Sequence, residues 1–164
     1  MVEHLIERLH NGDDADRLAA AQTLASLGTE AAPAAVALAR YASDPPISEW
    51  CVAALEELGP PAPQDVAALA ELLETQAGEA AADSVYWAAT LLGRLGPPAG
   101  GAVPQLTRAA EAGPALPCRE RAAWALGKIG PVAAGALPTL ETLAAADQSR
   151  LARLAQQAIE AIKP

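Results

Sequence analysis

Few side chains in this chain have the types and spacing that catalysis or metal binding requires. The histidines, His4 and His10, stand six residues apart on a predicted first helix, so they do not share a face as i, i+4 metal ligands do. No Cys-x-x-Cys pair occurs, and no phosphate-binding glycine loop follows a predicted strand. We therefore predict no catalytic residue, no metal and no cofactor, although spacing alone leaves a Ser-His-Asp set open.

Aromatic and basic residues in the C-terminal half suggest a different chemistry, the binding of another protein. Trp, Tyr and Arg carry much of the binding energy at protein interfaces. The predicted partner-binding residues are Tyr86, Arg94, Trp124, Lys128, Arg150 and Arg153. Structural alternatives stay open for three of them. Trp124 could fold over Gly127 and pack against the adjacent repeat, and Arg94 and Lys128 could serve the C-terminal ends of their own helices.

The charge balance limits the partners that this chain can bind. Its 11 basic residues stand against 20 acidic ones, a net charge of −9, whereas nucleic-acid binders need Lys and Arg to neutralise phosphates. An anionic membrane surface is disfavoured for the same reason, and no apolar run approaches the roughly 20 residues that a spanning helix requires. The first residues interleave charge with Leu and Ile, unlike the core of a signal peptide. We expect a cytoplasmic protein with no nucleic-acid or membrane partner.

The elements that must position these residues follow from a repeating Leu-Gly or Ile-Gly pair. The pair occurs at Leu27-Gly28, Leu58-Gly59, Leu95-Gly96 and Ile129-Gly130, and Ile162-Lys163 is a degenerate fifth copy. A spacing of about 34 residues is typical of helical repeat proteins. Alanine supplies roughly a quarter of all positions and Phe is absent, which favours helices that pack closely.

Each Leu-Gly or Ile-Gly pair is predicted to end an amphipathic helix, which is the second helix of its repeat. Apolar residues stand one and four places before the terminal residue of the pair and a small residue stands eight places before it, so the three lie on one helical face. The glycine is then a left-handed helix end. Cys51 and Cys118 fall two repeats apart, beyond the about 7 Å Cα separation of a disulfide, and are predicted to be buried free thiols.

Another helix follows each glycine, so we predict ten helices in five antiparallel pairs. Because no pair can cover its own apolar face, neighbours must stack into one continuous core. The predicted spans are 2–10 with 14–27, 31–42 with 46–58, 63–76 with 80–95, 99–112 with 117–129, and 133–146 with 149–162. We expect a single domain over residues 1–164, with repeats at about 1–28, 29–59, 60–96, 97–130 and 131–164.

The repeat resembles the HEAT-like family, in particular the short form found in phycobilin lyases. Arg119 through Gly130, which reads Arg-Glu-Arg-Ala-Ala-Trp-Ala-Leu-Gly-Lys-Ile-Gly, is similar to the family pattern Arg-x-x-Ala-Ala-x-x-Leu-Gly-x-Ile-Gly, and Arg17 through Gly28 is a fair match. Ser48, Val85 and Ala152 replace the motif arginine. The resemblance implies an all-α, right-handed α-solenoid of five stacked antiparallel helix pairs.

In this family the second helices line an inner, concave wall, and the resemblance implies the same here. Residues ten, six, three and two places before each repeat end should then point outward: Glu49, Ala53, Glu56 and Glu57; Tyr86, Thr90, Gly93 and Arg94; Glu120, Trp124, Gly127 and Lys128; Arg153, Gln157, Glu160 and Ala161. Trp50 and Trp87, nine places before, are expected to pack between repeats.

The sequence thus favours a non-catalytic scaffold that binds an acidic or amphipathic segment of a partner protein on this wall. Two alternatives stay open. One is an accessory subunit of a phycobilin-lyase-like enzyme, a role that repeats of this kind also serve, and the other is a regulatory segment of a larger assembly. Polar side chains on both terminal repeats favour a monomer.

Overall fold

Ten α-helices follow one another in the computed structural model, which describes residues 1–76, 78–147 and 149–163. They are α1 (Val2–Asn11), α2 (Asp14–Ser26), α3 (Ala35–Tyr41), α4 (Ser48–Glu57), α5 (Val66–Thr75), α6 (Ala82–Leu95), α7 (Val103–Ala112), α8 (Leu116–Ile129), α9 (Leu137–Ala146) and α10 (Arg150–Ile162). The predicted all-α fold of about ten helices is confirmed. The predicted end of the last repeat, at Pro164, lies outside the described residues.

The largest differences from the predicted spans lie where the first helix of a repeat begins. There the chain forms 3-10 turns before it becomes α-helical, at Gly28–Ala34, Pro63–Asp65, Pro97–Ala102 and Gly130–Ala136. Apolar spacing in a 3-10 turn is close to that in an α-helix, so the sequence pattern merged the two. Pro104 and Pro138 occupy the second position of α7 and α9, where the missing N–H breaks no intrahelical hydrogen bond.

The helices form two layers of an α-solenoid. Odd-numbered helices α3, α5, α7 and α9 pack in succession on one side, and each helix also packs against its partner within the hairpin. The even-numbered helices form the other side, which we call the second-helix layer, with α2 on α4, α6 on α8 and α8 on α10. Each hairpin therefore buries its apolar face against its neighbours, as the stacking argument required.

The core includes residues at two recurring positions of the repeat. The leucines ten places after the glycines are fully buried, and so are the residues eight places before the repeat ends: Leu38, Leu69, Leu106 and Leu140; Ala20, Cys51, Ala88, Ala122 and Ala155. Each buried leucine contributes roughly 1.5–3 kcal/mol of transfer free energy. The small residues at the eighth place let backbones of successive helices come close.

The second-helix layer is interrupted between α4 and α6, which approach each other less closely than the other successive members. Instead α6 packs on α3, where Oγ of Ser84 donates to the carbonyl of Arg40 at 3.1 Å. The backbone N–H of Ser84 also donates to Oγ of Ser43 at 2.9 Å. These bonds hold α6 against the first-helix side of the preceding repeat and leave a gap beside α4.

One stretch, Leu116–Ala146, contains an 18-residue window with a mean hydropathy of 1.2, so by length and composition alone it could cross a membrane. The sequence expectation concerned uninterrupted apolar runs, and this stretch is not one, because it contains Arg119, Glu120, Arg121 and Lys128. In the structure this stretch comprises α8, a 3-10 segment and α9. Leu126, Ile129 and Leu140 of this stretch lie fully buried in the solenoid core, whereas Leu116 and Val132 are exposed.

Positive backbone φ angles test the role of the repeat glycines. Gly96 and Gly130 have φ of 73° and 74°, whereas Gly59 at the aligned position does not have a positive φ. The prediction of a left-handed helix end is thus wrong for Gly59, where α4 runs into extended chain at Leu58. A side chain at Gly59 meets no atom within 4 Å.

We expect Gly96→Ala and Gly130→Ala each to lower the free energy of unfolding by about 1–3 kcal/mol, because alanine is strained at these backbone angles. Gly59→Ala is the matched control and should leave the free energy of unfolding unchanged or raise it by up to about 1 kcal/mol. Urea denaturation followed by circular dichroism measures all three. Equal losses at the three positions would contradict the assignment.

Both cysteines are buried and free, as predicted. Burial raises the pKa of Cys51 to about 12 and raises that of Cys118 as well. The folded state therefore holds both as thiols at pH values where an unfolded chain already forms thiolates, near the ordinary pKa of about 8.5. Because the folded pKa is the higher one, stability is lost as the pH rises from about 8.5 toward the folded value.

Ellman's reagent at about pH 8 should react with the two thiols only as fast as the protein opens, since a protonated, buried thiol is a poor nucleophile. Addition of denaturant should make both thiols react within the mixing time. A fast reaction in native buffer would show that the helices around Cys51 or Cys118 separate readily.

Candidate functional site

Trp124 lies on α8, which passes between α6 and α10 in the second-helix layer. Its indole rests on Gly93 of α6, so closely that a Cβ at Gly93 would lie 2.3 Å from Cζ3 of the ring. The ring is only partly buried. Trp124 therefore does pack against an adjacent repeat, but over Gly93 rather than over Gly127, and it keeps an accessible edge.

Gly127 was a candidate support for the indole of Trp124, but in the structure it contacts the following helix. A Cβ at Gly127 would lie 3.1 Å from Cα of Ala158 on α10. The glycine thus admits the backbone of the next helix, as Gly93 admits the indole. Both glycines stand three places before their repeat ends, the position that faces the following repeat.

Arg121 joins Tyr86 to Trp124 across the boundary between α6 and α8. Its guanidinium carbon lies 4.6 Å from the centroid of the Tyr86 ring and 4.9 Å from that of the Trp124 ring, and its Nη2 donates a hydrogen bond to the hydroxyl of Tyr86. A cation within about 6 Å of an aromatic face is attracted to the ring. The arginine and the two rings therefore hold one another in place.

Two pockets flank Trp124 and share it as a wall. The first encloses about 330 Å³ and is lined by Tyr86, Pro117, Glu120, Arg121, Trp124, Arg150 and Leu154. The second encloses about 220 Å³ between α8 and α10, over a floor of small residues that includes Gly127 and Ala158. We call this pair of pockets, with Trp124 and Leu154 between them, the Trp124 groove.

Cations lie at both ends of the Trp124 groove. At the first pocket Arg150 is largely exposed and pairs with Glu120 at 3.5 Å. At the second pocket Nζ of the exposed Lys128 lies 5.8 Å from the centroid of the Trp124 ring. Of the residues predicted from sequence, the structure thus brings Tyr86, Trp124, Lys128 and Arg150 together around one groove.

Arg94 and Arg153 lie outside this group. The Nη1 atom of Arg94 donates to the carbonyls of Leu55 and Leu58 at 2.8 and 2.5 Å, so its guanidinium spans the gap between α6 and the C-terminal end of α4. Burial lowers the pKa of Arg94, and the nearby charge of Arg121 lowers it further. Arg153 is exposed on α10 and lines a separate pocket beside Ala144 and Asp147.

The prediction of an outward face is wrong for two of the four residues named in the third repeat. Thr90 and Gly93 are buried, because α8 covers that side of α6. The prediction for the flanking tryptophans is half right. Trp87 is 7% exposed and stacks under Arg94 at 5.5 Å, whereas Trp50 is 37% exposed. A single-helix projection leaves out the neighbouring repeats, which decide the burial of these positions.

The residue that sequence reasoning missed is Arg121. It stands nine places before its repeat end, on the helix flank that was assigned to packing, and its long side chain reaches Tyr86 of the preceding repeat. The helical period of one repeat does not indicate this contact; only a comparison of two neighbouring repeats could. An arginine on the flank of α8 faces a tyrosine ten places before the previous repeat end, and such pairs form readily.

We expect Arg94→Met to lower the free energy of unfolding by about 1.5–3 kcal/mol, because it leaves the carbonyls of Leu55 and Leu58 without their charged donor. Lys128 occupies the equivalent position of the next repeat but is exposed, so Lys128→Met should change the free energy by less than about 0.5 kcal/mol. Chemical denaturation distinguishes the two. A similar small effect from both would mean that Arg94 does not stabilise the gap beside α4.

Comparison with known proteins agrees with this architecture. A search of curated proteins found no match to the chain. A profile of HEAT repeats matches residues 2–88 and 83–161, and so covers nearly the whole sequence. HEAT repeats are generally protein-interaction modules, and their fold is typically non-catalytic. With its stacked helix pairs and its repeat profile, this chain belongs to the HEAT repeat family.

Proposed function

We propose that this chain is a non-catalytic interaction module that holds a segment of a partner protein in the Trp124 groove. The observation that carries the proposal is the indole of Trp124, fixed from below by Gly93 and from the side by Arg121, yet still accessible from the groove. A rigid aromatic side chain loses little conformational entropy on binding, which is why such anchors contribute strongly to affinity.

The size of the two pockets supports a protein segment as the occupant. At about 330 and 220 Å³, each is small enough to be filled by one or two side chains. Trp124 stands between them, so neighbouring side chains of one segment can enter both pockets while the backbone crosses the indole. In this function the module acts as a monomer in the cytoplasm.

Affinity purification with the tagged protein from its native cells tests the proposal. Trp124→Ala should remove the anchor and weaken partner binding by at least about 30-fold, in line with the about 2 kcal/mol or more that a hot-spot tryptophan contributes. Lys128→Glu should weaken it through charge reversal at the second pocket.

The matched controls are Trp50→Ala, an exposed tryptophan on α4, and Arg108→Glu, an exposed basic residue on α7. Both should recover the partner as the wild type does. If Trp124→Ala and Lys128→Glu also recover it fully, the partner binds another surface and the proposal is wrong.

A further inference from the structure

The charge of Arg121 has no acidic counterpart within the part of the chain that the structure describes. Its contacts are the two aromatic rings and the hydroxyl of Tyr86. The nearby carboxylate of Glu120 pairs with Arg150 instead. A half-buried guanidinium that is not neutralised inside the protein is a favourable place for an incoming anion, since water screens it poorly there.

Arg17 has a similar environment, but its charge is paired with a carboxylate of the same chain. Arg17 also lies over a tyrosine, with its guanidinium carbon 5.0 Å from the centroid of the Tyr41 ring. Its Nη2, however, donates to the carboxylate of Asp44. Arg121 also lies over a tyrosine, but its guanidinium lines an open pocket instead of pairing with a carboxylate of the described residues.

The guanidinium can still bind an anion. It carries five N–H donors in a planar fork, which matches a carboxylate in a bidentate geometry. The hydrogen bond to Tyr86 uses Nη2, and the stacked rings restrict how far the side chain can move. Little entropy is therefore lost when a carboxylate binds, which favours selectivity for that group.

The other residues of the groove further restrict which partner segments can bind. Arg150 lies at the same pocket and Lys128 at the other one, so cations recur along the groove rather than at one point. This arrangement is complementary to acidic side chains spread along a segment and not to a single terminal carboxylate. Between the cations, the small residues of the second pocket leave room for an apolar side chain.

We infer that Arg121 is the receptor for an Asp or Glu side chain of the partner, and that the groove selects segments in which an acidic residue lies two to four positions from an apolar one that enters the second pocket. This inference rests on the proposed function of the Trp124 groove. It adds a specificity-determining residue and the chemical class of the partner segment.

A phage library of random 16-residue peptides is the probe, selected against the wild-type protein and against Trp124→Ala, Arg121→Gln and Arg108→Gln. Among peptides whose capture depends on Trp124, we expect acidic residues to be enriched two to four positions from an apolar residue. Arg121→Gln should abolish that enrichment and weaken the selected peptides about tenfold to a hundredfold. Arg108→Gln, on the exposed face of α7, should change neither.

Two further variants separate charge from shape and from misfolding. Arg121→Lys keeps the charge but not the planar fork, and should recover only part of the affinity. Glu120→Gln removes the competing carboxylate of the first pocket and should bind the same acidic peptides a few-fold more tightly. A gain of affinity cannot come from a damaged fold.

The outcomes distinguish this inference from the function on which it rests. Trp124-dependent peptides without an acidic preference, or with one that survives Arg121→Gln, would overturn the inference and leave the groove as a binding site. A library that yields no Trp124-dependent peptide would overturn both. Self-association in analytical ultracentrifugation that is lost in Arg121→Gln would show that a second copy of the chain is the occupant, and would also refute the inference.

Discussion

The distance between successive second helices is the constraint on which the rest of this structure depends. The residue three places before a repeat end lies on the side of the second helix that points toward the following repeat. Its side chain is smaller where the next second helix packs more closely. It is glycine in α6 and α8, which are followed by tightly packed helices, and alanine in α2. In α4, whose successor stands apart, it is Glu56, which is exposed. Close packing at this position requires that almost no side chain be present.

The same constraint produces the binding surface. Because Gly93 leaves room on α6, the indole of Trp124 can lie flat against that helix and still reach the groove. Because Gly127 admits the backbone of α10, the groove between α8 and α10 is shallow and floored by small residues. The packing of the solenoid and the shape of the candidate site therefore both depend on the same two glycines, Gly93 and Gly127.

The periodic part of this arrangement could be predicted from the sequence, and the part that depends on long side chains could not. Leucines and alanines at fixed places located the helices, the hairpins and the core, because burial along a helix follows its period. The burial of Thr90 and the contact of Arg121 with Tyr86 depend on a neighbouring repeat. Period alone does not describe how far a side chain reaches across such a boundary.

Arg94 and Lys128 show how equivalent positions acquire different roles in a repeat protein. Both stand two places before a repeat end, in the last turn of a second helix. The preceding second helix, α4, does not pack closely against α6. The guanidinium of Arg94 fills the gap between them by donating hydrogen bonds to the carbonyls at the end of α4. Beside α8 there is no such gap, since α6 already covers that flank. The Lys128 ammonium consequently stays in solvent over Trp124, and the same register that stabilises one repeat boundary supplies a cation to the groove at the next.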